Sequence, residues 1–221
     1  MDNLIAINKP KGPSSFQIVA RVRKITGVKK VGHAGTLDPL ASGVLVVAIG
    51  REATKKIAET VEKEKEYVAD IKLGQTSATD DAEGQLTAIS DYRPDLEEVK
   101  SAISGFVGEI NQIPPQFSAI KIGGQRAYKV ARAGETVELK ARPVIIKEIE
   151  LLNYDYPDVK IRVVTGPGVY IRSLARDIGQ KLKTGAYMSD LLRTRVGEFD
   201  LSKSLTLEEF QIKYDQQTTS D

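Results

Sequence analysis

Hydrophobic and polar positions change rhythm along this chain, and each change predicts an element. Residues 66–74, EYVADIKLG, set Val68, Asp70 and Lys72 against Ala69, Ile71 and Leu73, the period of two expected of a strand. VLVVAIG (44–50) is a β-branched apolar run, as expected for a buried strand, and LIAINKPKGPSS (4–15) reads as a short strand entering a Pro/Gly loop. FQIVARVRKITG (16–27) has helical spacing, with Ser14 or Ser15 suited to cap its start and Gly27 to close it. ATKKIAETVEKE (53–64), DLEEVKSAISGFVG (95–108, started by Asp95), VYIRSLARDIGQKL (169–182) and LTLEEFQIKY (205–214, opened by Thr206) also predict helices. VIIKEIELLNYD (144–155) and VKIRVVTG (159–166) predict strands. Between these, GHAGTLDPLASG (32–43) reads as a loop, TSATDDAEG (76–84) as a polar turn, and QIKYDQQTTSD (211–221) as a fraying polar tail.

Strands and helices alternate without a strict βαβ rhythm, which predicts an α+β fold around a central mixed or antiparallel sheet flanked by helices and loops. The 221 residues suffice for one large domain or two small ones. No GxGxxG or GxxxxGK[ST] stretch supports a dinucleotide-fold or P-loop reading. One histidine and no cysteine remove a His/Cys zinc site and, with it, zinc-dependent base deamination. The expectation is therefore chemistry without a metal or cofactor, carried by carboxylates, Tyr, Lys, Arg, Ser or His33. No apolar run is long enough to span a membrane, and MDNLIAINKP lacks a secretory pattern, so no membrane association and a cytoplasmic location are expected.

The net charge of +2 hides a strong segregation. Residues 1–56 carry ten Lys/Arg against three acids, and residues 116–147 seven against two. The intervening 57–115 carry five against thirteen. Two basic segments separated by an acidic one suit a phosphate-binding face, though ordinary surface clustering gives the same pattern.

GHAGTLDPLASGVL (32–45) is the most unusual stretch. Asp38 stands before Pro39, which biases it towards extended backbone, and Gly32, Gly35 and Gly43 allow tight turning and close ligand approach. Asp-Pro is equally ordinary turn chemistry. The stretch resembles the catalytic motif of the TruB family of pseudouridine synthases, G-H-x-G-x-L-D-P-x-A-x-G-x-L, at Gly32, His33, Gly35, Leu37, Asp38, Pro39, Ala41, Gly43 and Leu45. Further blocks match in the family's order: NKPKGPSS (8–15), EYVADIKLG, IPPQFSAIKIGGQRAYKVARAG (113–134), GVYIRSLARDIG (168–179) and LLRTRVGEF (191–199).

The resemblance implies the pseudouridine synthase fold and a cofactor-free isomerase that converts a T-loop uridine of tRNA (U55) to pseudouridine. It implies Asp38 as the catalytic aspartate, Tyr67 as the active-site tyrosine and Arg172 as the active-site arginine, paired with Asp38. Lys9 and Pro10 would shape the floor of the site, His33 would fill the gap left by the flipped base, Tyr170 would neighbour Arg172, and Leu191 would line the base pocket. Lys121, Arg126, Lys129 and Arg132, with Tyr128 among them, would contact T-arm phosphates. On pattern alone Tyr67 is equally a core tyrosine, Arg172 a surface arginine, Lys9 a solvated lysine and the basic strip a wet face. The resemblance also implies a catalytic domain over 1–211, with 116–147 an RNA-gripping insertion, a tail over 212–221, no C-terminal PUA domain, no obligatory protein partner and a monomer. Departures stand at Ala78, Tyr187 and Leu192, and in GPGV (166–169), where the family favours Asp, His, Arg and Ser-Lys-Gly-Thr. The alternatives are a guide-RNA-directed relative and a catalytically silent tRNA-binding or folding factor.

Overall fold

The computed structural model describes residues 3–118, 121, 122, 125, 126, 130 and 138–218, with backbone only at 121, 122, 125, 126, 217 and 218. It divides into two compact units, one from residues up to Val68 together with those from Leu191, the other from Ala69 to Asp190. Strands β4 (Lys65–Leu73) and β12 (Ala186–Val196) run through both.

In the first unit the strand order is β1-β3-β12-β4, with β2 added on β3 and β13 (Phe199–Asp200) on β12. β1 (Asn3–Lys9) pairs antiparallel with β3 (Ser42–Ile49), and β12 joins β3 in parallel at Leu192↔Ser42 and Arg193↔Gly43. The uninterrupted apolar run of β3 is buried from Gly43 to Ile49, as a central strand covered on both faces requires. Helix α1 (Ser15–Thr26) begins with a reciprocal capping box between Ser14 and Gln17 and ends on Gly27 at φ 68°, a left-handed turn that favours glycine. It buries Ile18, Val19 and Val22 on one face.

Two expectations change here. Val31–Ala34 form β2, antiparallel to Val46–Ile49, so the loop expected from residue 32 starts only after Ala34. Val31 and Ala34 are buried, which sequence reading overlooked because glycines flank them. The helix expected over 53–64 is two short ones, α2 (Arg51–Lys55) and α3 (Ile57–Val61), joined at Lys56. The terminal helix α6 (Leu207–Thr218) continues through the expected tail: Tyr214, beyond residue 211, donates its hydroxyl to the Thr26 carbonyl at 3.0 Å.

In the second unit the order is β12-β4-β11-β10-β7. β10 (Arg142–Asp155) and β11 (Asp158–Thr165) form an antiparallel hairpin across Tyr156–Pro157, and β7 (Gly108–Gln112) closes the edge. The alternation read in β4 holds, with Lys65, Tyr67, Ala69, Ile71 and Leu73 all buried. The 76–84 turn lies within a small hairpin of β5 (Gln75–Ser77) and β6 (Leu86–Ala88). α4 (Leu96–Ser104) starts on a capping box between Asp95 and Glu98, and α5 (Ile171–Lys181) buries Arg172 along with its apolar face. β8 (Lys121–Ile122) pairs with β9 (Gln125–Arg126). β7 and β12 were not expected from pattern: GEINQ is polar, and AYMSDLLRTRV places an arginine inward. No helix of the described residues is long and apolar enough to cross a membrane.

Candidate active site

Asp38 sits half-buried on a loop fixed on both sides. On one side, Leu37 exchanges two 2.8 Å hydrogen bonds with Ser15: its N–H donates to Ser15 Oγ, and its carbonyl accepts from the same hydroxyl. On the other, the Pro39 carbonyl accepts from Gly12 N–H at 2.9 Å. Beneath lies Lys9, fully buried, whose ammonium donates to the Pro10 and Pro13 carbonyls at 2.8 Å each and reaches the Pro39 carbonyl at 3.5 Å. Lys9 is thus an internal cross-brace of the Asp38 loop and not a solvated strand-end lysine. Pro10 is exposed and contributes its carbonyl. The Asp38 carbonyl itself accepts from Ala41 N–H at 3.1 Å, which closes the turn.

His33 stands on β2, with its Nδ1 buried and without a hydrogen-bond partner among the described residues. Burial first, then the charge of Arg193, holds the imidazole below its ordinary value, so it is uncharged at neutral pH. Tyr67 is buried on β4 on the same face as Lys65, and Leu191 is buried on β12 on the same face as Arg193. Arg193 is buried and interacts electrostatically with Tyr67. Its Nε donates to the Val44 carbonyl at 2.7 Å and its Nη2 to the Gly35 carbonyl at 3.1 Å. Lys65 donates to the Val61 and Lys63 carbonyls at 2.6 Å each; burial, then Arg193, lowers it to about 8.

In the second unit, Arg172 is buried on the first turn of α5. Its Nη1 meets Asp81 Oδ2 at 3.3 Å and the Thr79 carbonyl at 3.2 Å, and its Nη2 donates to the Phe117 carbonyl at 2.9 Å. Asp81 is only 2% exposed and is also held by the Thr79 hydroxyl at 2.5 Å and the Glu83 N–H at 3.0 Å. One turn later, Arg176 pairs with Asp80 at 2.9 Å and donates to the Ile113 carbonyl at 2.8 Å. The two arginines, four residues apart, therefore grip adjacent carboxylates of the 77–84 turn. Tyr170 precedes α5, fixed by a double exchange with Gln112, and its ring lies 5.3 Å beneath the Arg142 guanidinium.

The structure thus brings Lys9, Pro10, His33, Asp38, Tyr67 and Leu191 into the first unit, and Tyr170 and Arg172 into the second. Lys121 and Arg126 are opposed in the β8–β9 ladder, their side chains lying outside the described residues with Lys129 and Arg132. Among the described residues no three His, Asp or Glu side chains are grouped to hold a metal.

A sequence profile described as TruB family pseudouridylate synthase (N terminal domain) matches residues 23–171. The chain belongs to the TruB family. A second profile, tRNA pseudouridylate synthase B C-terminal domain, matches residues 172–221. The chain is 48% identical to a tRNA pseudouridine synthase B of Phocaeicola vulgatus, covering 97% of this chain and 94% of that one. It is 46% identical to one of Ruegeria pomeroyi, over 94% and 68%. Among solved structures it resembles a chain of a Cbf5-Nop10-Gar1 complex with a TM-score of 0.76 and 33% identity, covering 98% of this chain. It resembles a chain of the archaeal box H/ACA sRNP Nop10-Cbf5 complex with a TM-score of 0.73 and 30% identity. It spans about half the length of these two, 56% and 55%. The pseudouridine synthase fold expected from the sequence is therefore the fold observed.

As a TruB family member the chain shows three features that sequence reading missed. Arg193 is only 1% exposed; its only signal was an arginine two residues after Leu191, on the same face of an apolar stretch. Asp81 lies in the polar turn, and its pairing with Arg172 required the fold. Arg176 and Asp80 gave no signal, since each reads as an ordinary solvated charge.

Proposed function

We propose that this chain isomerises uridine to pseudouridine in the T-loop of tRNA (U55), with Asp38 as the catalytic carboxylate. The observation that carries the reading is the bracing of the Asp38 loop by Lys9, Ser15 and Gly12, which presents one carboxylate on an otherwise immobilised turn. The names of the relatives, tRNA pseudouridine synthase B, support the substrate.

The reaction breaks the glycosidic bond from C1′ to N1, turns the uracil, forms a bond from C1′ to C5, and transfers the C5 proton away as N1 regains one. No redox change occurs and no group is imported, so the reading needs no cofactor. The target base must first leave its stack, at a cost of a few kcal/mol recovered by stacking and edge hydrogen bonds. Tyr67 supplies an aromatic face and a phenol; Leu191 supplies apolar lining; His33, uncharged, fills space without attracting phosphate. On this reading Lys9 and Pro10 form the floor, Tyr170 supports the start of α5, and Arg172 acts with Asp38 in turnover. Lys121, Arg126, Lys129 and Arg132 contact phosphates. Lys129→Glu with Arg132→Glu then weakens tRNA binding and flattens its salt dependence by about one unit per lost contact, while leaving the single-turnover rate at saturating RNA unchanged. An unchanged salt slope removes the strip from the interface.

The reading also holds that the chain works as a monomer in the cytoplasm without a protein partner. The solved neighbours come from complexes with Nop10 and Gar1, which favours a second, guide-RNA-directed reading. One assay separates the two: purified chain with an unmodified tRNA transcript, no guide RNA and no added protein. Pseudouridine at the T-loop position supports the first reading. Its absence, with activity appearing only when guide RNA and partners are supplied, supports the second.

A further inference from the structure

The 77–84 turn is held most firmly where its backbone is strained. Asp80 lies at φ 61°, the left-handed conformation that a residue with a side chain adopts only at a cost. Its N–H donates to the Ser77 carbonyl at 3.1 Å, and its carbonyl accepts from Met188 N–H at 3.0 Å. Its carboxylate meets Arg176 Nη1 at 2.9 Å, the two side chains being 16% and 19% exposed. The next residue, Asp81, is the buried partner of Arg172.

Successive side chains of an extended segment point to opposite faces. Here residues 80 and 81 both reach α5, and the left-handed backbone of Asp80 breaks the alternation that would part them. On α5, Arg172 and Arg176 stand one turn apart on one face. The same face also holds a second segment: Ser173 Oγ and Arg176 Nη2 both donate to the Ile113 carbonyl, at 2.9 and 2.8 Å, and Arg172 Nη2 donates to the Phe117 carbonyl. Arg176 has another anion in Asp177, at 2.9 Å, so its charge does not depend on Asp80. What the Asp80 contact adds is a fixed position for the turn.

We propose that Asp80 and Arg176 form a positioning pair for the reaction: Arg176 holds residue 80 in its left-handed turn, which sets the Asp81 carboxylate against Arg172 and so orients the Arg172 guanidinium for turnover. The proposal rests on the role given above to Arg172. Substitution separates the pair from the turn. In Asp80→Gly the backbone takes its φ of 61° freely, and only the carboxylate is lost. Arg176 keeps Asp177 in that variant, so no buried charge is stranded. In Arg176→Lys the charge stays, but an ammonium cannot serve Asp80, Asp177 and the Ile113 carbonyl with a planar fork.

The test is single-turnover pseudouridine formation at saturating T-arm RNA, alongside the RNA dissociation constant. Asp80→Gly is expected to lose about tenfold in rate with binding unchanged, less than the roughly 100-fold of a full misplacement because Asp81 and Arg172 can still meet. Arg176→Lys loses rate in the same direction. In an Asp81→Asn background the Asp80→Gly loss shrinks, because the carboxylate it acts through is gone. A merely supporting pair would lower the unfolding midpoint and leave the rate of the folded chain as it was. An unchanged rate in Asp80→Gly, or an undiminished loss in the Asp81→Asn background, overturns the proposal. Should Asp80→Gly not fold, Asp80→Asn replaces it, since asparagine tolerates the left-handed backbone and lacks only the charge. The guanidinium Nε NMR resonance of Arg172 gives a readout that needs no turnover: it shifts in the Asp80 variant while that of Arg193 stays, or the proposal fails. A wild-type chain that makes no pseudouridine thus refutes the functional reading and leaves the pair separately testable.

Discussion

Arg193 in the first unit and Arg172 in the second are both buried, at 1% and 6% exposure, and they satisfy their charge in opposite ways. Arg172 meets the carboxylate of Asp81, itself held by Thr79 and Glu83. Arg193 meets two backbone carbonyls, of Val44 and Gly35. The first arrangement ties one buried charge to another, so that neither survives well alone. The second leaves a cation surrounded by dipoles, costly to bury but without a stranded counter-ion when removed. The same contrast runs through the neighbours: the first unit's buried Lys9 and Lys65 also donate to carbonyls, whereas Arg176 in the second pairs with Asp80 and Asp177.

The sharpest way to break this comparison is to truncate each arginine. Arg172→Met is expected to cost about 3–5 kcal/mol, because Asp81 is left charged and buried. Arg193→Met costs less, since it strands no buried counter-ion: neutral acceptors lose a donor, offset by the removed desolvation of the cation. Asp81→Asn should recover part of the Arg172→Met loss and none of the Arg193→Met loss in urea unfolding. An Arg193→Met loss larger than that of Arg172→Met would show that the neutral acceptors hold the stronger bond.

A smaller effect is expected from the glycines packed against the Arg193 strand and within the 77–84 turn. Gly43→Ala combines a strained φ with a clash against backbone and is expected to cost at least about 1–3 kcal/mol. Gly84→Ala in the second unit has no left-handed φ to strain; it meets the Ser77 and Thr79 hydroxyls and the Thr79 nitrogen at 2.7 Å, so it should cost less in thermal unfolding. Equal losses would mean that the Arg193 strand yields as readily as a turn.

The smallest effects are in pH dependence, and they carry opposite signs. Lys65 in the folded chain titrates near 8, below its ordinary 10.5, so the unfolded chain binds more protons between these values. Stability should therefore rise with pH from about 8 towards 10.5 relative to Lys65→Met. Asp80 is raised above its ordinary 3.8, by burial first, against the opposing pull of Arg176 and Arg172. The folded chain then binds more protons just above that value, and stability should fall with rising pH there relative to Asp80→Asn. Denaturant titrations of each pair across its window check both slopes, and a slope of the wrong sign in either removes burial as the cause.

What could be read from the sequence divides along the same line. Patterns that are local and periodic were visible: the alternation of β4, the helix starts at Ser14 or Ser15 and at Asp95, the buried run of β3. Asp38 was visible because its motif is contiguous. Arg193, Asp81 and Arg176 were not, because their meaning depends on partners distant in the chain: Gly35 is 158 residues from Arg193, and Asp81 is 91 from Arg172. Lys9 was visible as a residue but not as a brace, since a lysine ending a strand before Pro-Lys-Gly-Pro gives no sign that it turns inward. β12 escaped notice for the reason that makes it useful, an arginine on its buried face.

The central claim is that Asp38 carries the chemistry, and Asp38→Asn tests it most directly. The substitution keeps the shape of the side chain and the hydrogen bonds that Ser15, Gly12 and Lys9 make to its neighbours, so the loop should stay in place. The measurement is single-turnover pseudouridine formation on an unmodified T-arm hairpin, with binding measured in parallel. The account predicts no detectable product over times in which the wild type completes its turnover, with affinity for the hairpin nearly unchanged. Substantial product from the Asp38→Asn chain would contradict it.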